Sequence, residues 1–198
     1  GYAAPSGHPR INEVLPGNRS LEFSPFDCLA TGRRPHPDFV EIYNPSTDPL
    51  DLGGYYLADA PDLETPLGRA RRWRFPDGTT VATGGVVAAW FEPPPDCLSE
   101  EARASYLHVE GMGLNACGEA LYLIAPDDPA LGADCVVDRL AWTRPTATAC
   151  FPNDTALGYL CETCDELVET SKPTPGVPNR LPPIVRDATH QDIVGGGT

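Results

Sequence analysis

The sequence predicts an all-β chain folded as an antiparallel sandwich or barrel. Of its 198 residues, 23 are proline and 19 are glycine, which punctuates the chain too often for long helices yet falls short of low complexity. The apolar residues fall in short segments, alternating or continuous, and turn residues close each one. At least seven such segments follow one another at roughly regular spacing with no intervening helices, so a parallel sheet built from βαβ units is excluded.

The first segment, Ile11 to Leu15, is closed by Pro16-Gly17-Asn18. Phe39 to Tyr43 alternates, with Val40 and Ile42 on one face and Glu41 on the other, and ends at Asn44-Pro45-Ser46. Leu50 to Leu52 and Tyr55 to Ala58 flank Gly53-Gly54, which reads as a bulge or kink in an extended stretch. Trp73 to Phe75 and Thr79 to Val81 lie on either side of the turn Pro76-Asp77-Gly78. Val86 to Phe91 is apolar throughout, as expected of a strand covered on both faces, and Pro93-Pro94-Pro95 stops it. Ser99 to Leu107 alone looks helical, with Ser99 as N-cap and Glu100 and Glu101 in the first turn. Leu121 to Ile124 ends at Ala125-Pro126-Asp127-Asp128, and Val136 to Leu140 is the last strong strand. The pattern offers one core.

Length allows one such domain to bury about two-thirds of its unfolded surface. No apolar run approaches the ~20 residues that span a bilayer, and Gly1 to Gly7 has neither the charged nor the apolar region of a signal peptide. The missing initiator Met leads us to expect that a signal peptide or upstream segment has been removed. With 28 acidic against 14 basic residues, the net charge of −14 argues against general affinity for nucleic acid or anionic membranes.

Several motifs resemble the lamin tail domain family. They run in order through Ile11-Asn12-Glu13-Val14, Asp38 to Asn44, and Leu50 to Asp59. After these come Phe75-Pro76-Asp77-Gly78-Thr79, the apolar strand following Gly84-Gly85, Gly118 to Leu123, Val136-Val137-Asp138, and Thr174-Pro175-Gly176-Val177-Pro178-Asn179. The resemblance covers Ile11 to Asn179 and implies an immunoglobulin-like antiparallel β-sandwich without catalytic residues. In bacteria, similar domains occur as accessory modules of secreted or surface proteins, sometimes beside hydrolases or nucleases. In animals the related domain ends nuclear filament proteins and binds proteins and, in some cases, DNA. Fold does not carry either role across.

Against that pattern, Arg19 to Pro37, Pro93 to Leu107 and Arg144 to Lys172 are long insertions. Five of the seven cysteines lie in them, Cys28, Cys97, Cys150, Cys161 and Cys164, while Cys117 and Cys135 sit at loop edges of the body. Disulfides that staple such loops fit an extracytoplasmic protein, secreted or on the cell surface; their pairing is not fixed by the sequence.

Each candidate chemistry has a plainer reading. Cys161-Glu162-Thr163-Cys164 has thioredoxin-like spacing but lacks the βαβ setting, and the other cysteines are too scattered for zinc. His8, His36, His108 and His190 show no metal spacing, and neither a nucleophile elbow nor a phosphate-binding glycine loop occurs. No metal site and no catalytic residue is therefore expected. Loop carboxylates, Asp59 with Asp62 and Glu64, Asp127-Asp128 with Asp134, and Asp165-Glu166, make calcium the one cofactor to weigh against simple surface charge. Trp73, Trp90 and Trp142 read as core rather than sugar platforms. Asn18-Arg19-Ser20 and Asn153-Asp154-Thr155 fit the glycosylation sequon.

The most unusual stretch places Arg69, Arg71, Arg72 and Arg74 within six positions. On a strand, Arg72 and Arg74 would share one face with Trp73 turned inward, either as a protected edge or as a strip for an anionic ligand. The sequence thus divides into an N-terminal extension (1–10), the sandwich (11–179) and a C-terminal tail or linker (180–198). The function it favours is a non-catalytic interaction or accessory module whose partner is a protein or envelope component. The alternatives are an enzyme or redox protein using the cysteine-rich insertions, and a structural spacer. A polar pocket at one end of the sandwich would favour the enzyme; a closed core with paired cysteines would favour the module.

Overall fold

The structure is a computed structural model and describes residues 7–23, 36–59, 72–126, 136–143, 150–159, 167–177 and 179. Cys28, Arg69, Arg71, Cys135, Cys161, Cys164 and the tail 180–198 lie outside the described residues, as do all the proposed calcium-binding carboxylates except Asp59.

Two sheets face each other. The larger has the order β12-β11-β1-β2-β7-β8, built from β1 (Arg10–Leu15), β2 (Phe39–Tyr43), β7 (Val86–Trp90), β8 (Leu107–His108), β11 (Ala156–Tyr159) and β12 (Leu167–Thr170). The smaller has the order β10-β9-β4-β5, from β4 (Tyr56–Ala58), β5 (Arg72–Arg74), β9 (Gly118–Ile124) and β10 (Val136–Thr143). A short ladder joins β3 (Leu50–Asp51) to β6 (Thr80–Val81). Every pairing among the described strands is antiparallel except β7 with β8. The expected immunoglobulin-like sandwich is the fold observed.

Inward-facing Ile11, Val14, Val40 and Ile42 of the larger sheet meet Leu57, Trp73, Leu121, Leu123, Leu140 and Trp142 of the smaller one in a single core. Asp138 also crosses between the sheets: its Oδ2 accepts the Ile11 N–H at 2.6 Å. A bulge at Asn12 shifts the β1–β2 register between Ile11 and Glu13, which releases that N–H from the ladder. At Gly53-Gly54 the chain turns, with Gly54 at φ +90°, and passes from β3 to β4; the glycines mark a change of sheet rather than a kink within one strand.

Helix α1 (Glu100–Ala104) starts where expected, with Ser99 Oγ accepting the Ala102 N–H at 3.1 Å. It covers a satellite cluster of Leu15, Phe39, Trp90, Leu98 and Ala156 on the outer face of the larger sheet. Trp90 is therefore core, though not of the main core.

The expected Arg144–Lys172 loop requires correction. This stretch contains β11 and β12, and β11 pairs with β1 while β12 pairs with β11. It extends the larger sheet instead of decorating it.

Candidate functional site

As antiparallel neighbours, β1 and β7 end where β2 and β11 begin, so four strand ends gather at one end of the larger sheet. Between them lies a cleft of about 530 Å3. Its wall is formed by Pro16 to Arg19 after β1, His36 and Asp38 before β2, Phe91 and Glu92 after β7, Gly113 to Ala116 before β9, and Asn153 before β11.

Asn18 fixes the geometry. Its side chain donates to Leu21 O at 3.0 Å and Pro37 O at 3.1 Å and accepts from Leu21 N at 2.9 Å, while its own N–H goes to Asp38 Oδ1 at 2.7 Å. With that amide buried and engaged, the first sequon is closed to modification in the folded domain. Burial pushes the Asp38 carboxyl up to about 6; the Asn18 N–H opposes the shift, the charge of Glu92 adds to it, and Arg19 opposes it. His36 Nδ1 lies 3.1 Å from Leu21 O, and because a carbonyl only accepts, Nδ1 carries the proton and leaves Nε2 for another contact. Asp154, with φ at +61°, closes the rim by accepting from Arg19 N, Ser20 N and Ser20 Oγ at 2.6, 2.9 and 2.6 Å.

Among the described residues, no serine, threonine or cysteine side chain lines this cleft, and no three His, Cys, Asp or Glu side chains gather as a metal site. The arrangement offers hydrogen bonds of both polarities beside an apolar strip, without a covalent nucleophile.

The arginine strip is the second candidate. Among the described residues β5 is an edge strand; Trp73 is buried, Arg72 half-buried and Arg74 exposed, the alternation expected. Arg74 pairs with Asp77 at 2.7 Å, and the Arg72 guanidinium lies 6.0 Å from the centre of the Tyr56 ring. Three residues not singled out in the sequence share this face. Arg139 pairs with Tyr122, Tyr122 with Ala58 and Ala58 with Arg72, a row across all four strands. Tyr56 pairs with Arg74 alongside. Period-two reading could place each residue on a face, but only the register brings them together.

The three tryptophans are buried, and Trp142 Nε1 donates to Asn115 O at 2.9 Å. Cys117 and Cys150 form a disulfide that ties the loop before β9 to the approach to β11, next to the cleft. Cys97 is disulfide-bonded as well.

A family model described as Lamin Tail Domain matches residues 3–144. The chain belongs to this family. Lamin tail domains are immunoglobulin-like and generally serve as non-catalytic interaction modules. None of the curated proteins matches the chain. The matched span ends just after β10, so β11, β12, Thr174 and Gly176 lie beyond it, although β11 pairs with β1, β12 pairs with β11, and Thr174 and Gly176 bond to Glu13 of β1 and Glu41 of β2.

Proposed function

We propose that this lamin tail domain is a non-catalytic interaction module of a secreted or surface-exposed protein, engaging an anionic partner through the outer face of its four-stranded sheet. The observation that carries the reading is the registered row Arg139–Tyr122–Ala58–Arg72 with Arg74 and Tyr56 beside it. On a chain of net charge −14, cations and aromatic rings gathered on one face stand out from the rest of the surface. Arginine forks suit carboxylate, sulfate or phosphate groups, and the half-buried tyrosines supply contact area at low entropic cost. The paired cysteines support a compartment that permits disulfides. No helix of the described residues is long and apolar enough to cross a membrane.

The test is retention of the purified domain on the native cell-envelope fraction. Wild type should be retained and released by salt, and the double variant Arg74→Glu, Arg139→Glu should pass through. Equal retention of the charge-reversed protein would sink the reading.

A further inference from the structure

We infer that the cleft at the end of the six-stranded sheet is a binding site for a neutral, pyranose-containing glycan. The inference is independent of the arginine face, which lies on the other sheet. At about 530 Å3 the cleft falls within the range of small-molecule sites, about 300–1,000 Å3.

Its lining decides the ligand class. Glu92 and Asp38 accept hydrogen bonds; Arg19 donates, and Asn153 does both. An anionic ligand would meet two carboxylates and a cationic one would meet Arg19, while an apolar ligand would cover the polar ends of Arg19, Glu92 and Asn153 and offer them no partner. Vicinal hydroxyls, each donor and acceptor at once, satisfy both signs together. Phe91 and Leu114, which also line the cleft, offer apolar surface to the C–H face of a sugar ring. Arg19, Glu92 and Asn153 are exposed, so their polar ends are open to an incoming hydroxyl. The cleft is also built in advance: Asn18, Asp154 and the Cys117–Cys150 disulfide fix its walls, which lowers the ordering cost that weakens glycan binding.

The experiment is an amide-resolved NMR titration of the isotope-labelled domain with cellotriose, maltotriose and chitotriose in turn, and with tri-galacturonate as an anionic control. At least one neutral trisaccharide should give saturable shifts, with a Kd on the order of 1 mM or tighter, confined to residues 16–19, 36–38, 91–92, 113–116 and 153. Glu92→Ala with Asn153→Ala should weaken that binding about tenfold or more, while Arg74→Glu with Arg139→Glu should leave it unchanged. Absence of shifts from all three neutral sugars overturns the proposal, as does binding of tri-galacturonate alone. Should the Glu92/Asn153 variant lose its fold, as its melting temperature would show, the wild-type titration decides by itself.

Discussion

Glu13 and Glu41 lie directly opposite each other on β1 and β2, both fully buried, and both hold the same distant segment of chain. Glu13 Oε2 accepts the Thr174 N–H at 3.0 Å and Glu41 Oε2 accepts the Gly176 N–H at 2.7 Å. Asn12 Nδ2, displaced by the bulge, donates to Glu41 Oε1 at 2.8 Å. Two carboxylates in register repel when both are ionised. The Oε1 of Glu13 is buried with no hydrogen-bond partner, a poor place for full negative charge. Burial accordingly pushes Glu13 up to about 7, against the opposing hydrogen bonds from Thr174.

Stability should therefore fall as the pH rises. A carboxyl whose pKa is about 7 when folded and 4.5 when unfolded binds its proton more tightly in the folded state. Its contribution is full below 4.5 and is lost as the pH passes 7, a loss of about 3 kcal/mol. Asp38 and Asp138, both raised chiefly by burial, act in the same direction. The melting temperature should be higher at pH 5 than at pH 8, and Glu13→Gln should shrink that difference. An undiminished slope in Glu13→Gln would assign the effect to Asp38, Asp138 and the net charge instead.

Asn179 closes the same network. Fully buried, it donates to Tyr159 O at 3.1 Å and to Asn12 O at 3.5 Å and accepts from Thr174 Oγ1 at 2.9 Å. Asn179→Ala removes the bonds to Tyr159 O, Asn12 O and Thr174 Oγ1 and should destabilise by about 1–3 kcal/mol in denaturant titration. A change below the error of that measurement would mean that this segment contributes little to stability.

What could be read from the sequence follows from the range over which the information acts. β2, β7 and α1 are visible because alternation, an apolar run or a cap is local to each. β11 is Ala-Leu-Gly-Tyr, with no alternation, and it becomes a strand only by pairing with β1, far away in sequence. Glu41 alternates with Val40 and Ile42 as an outward residue does, and nothing nearby shows that Thr174, Gly176 and Asn179 bond to that face. The cleft is invisible in the sequence for the same reason: its groups come from four connections far apart along the chain. The arginine strip was legible because its residues are adjacent, whereas Tyr56, Tyr122 and Arg139 join it only through register.

The Cys117–Cys150 disulfide joins residues 33 apart in sequence. Closing a loop of that size restricts the unfolded chain by about 3–4 kcal/mol. Replacing both cysteines with serine should lower the unfolding free energy by that order, and adding reductant should destabilise wild type by more than the variant, which still has the bond of Cys97 to lose. Because Phe151 N still donates to Ala116 O at 2.8 Å, the variant should retain its native sheet signature.

Asp154 should show the opposite pH sign from Glu13. Burial alone would raise its carboxyl, but the Ser20 hydroxyl and the backbone N–H groups of Arg19, Ser20 and Leu21 outweigh that and hold it below the usual carboxylate range. A lowered pKa gives stability that is present above the unfolded value and disappears as the pH falls through the folded one. Asp154→Ala removes these bonds and places alanine at φ +61°, so a loss of about 1–2 kcal/mol is expected at neutral pH. Asp154→Asn keeps a side chain tolerant of the left-handed region and an acceptor for Ser20, and should lose less. The gap between wild type and Asp154→Asn should close in strong acid, where the wild-type carboxyl is protonated too. A gap independent of pH would place the effect in backbone conformation, and the rim of the cleft would then rest on the turn at Asp154 rather than on its charge.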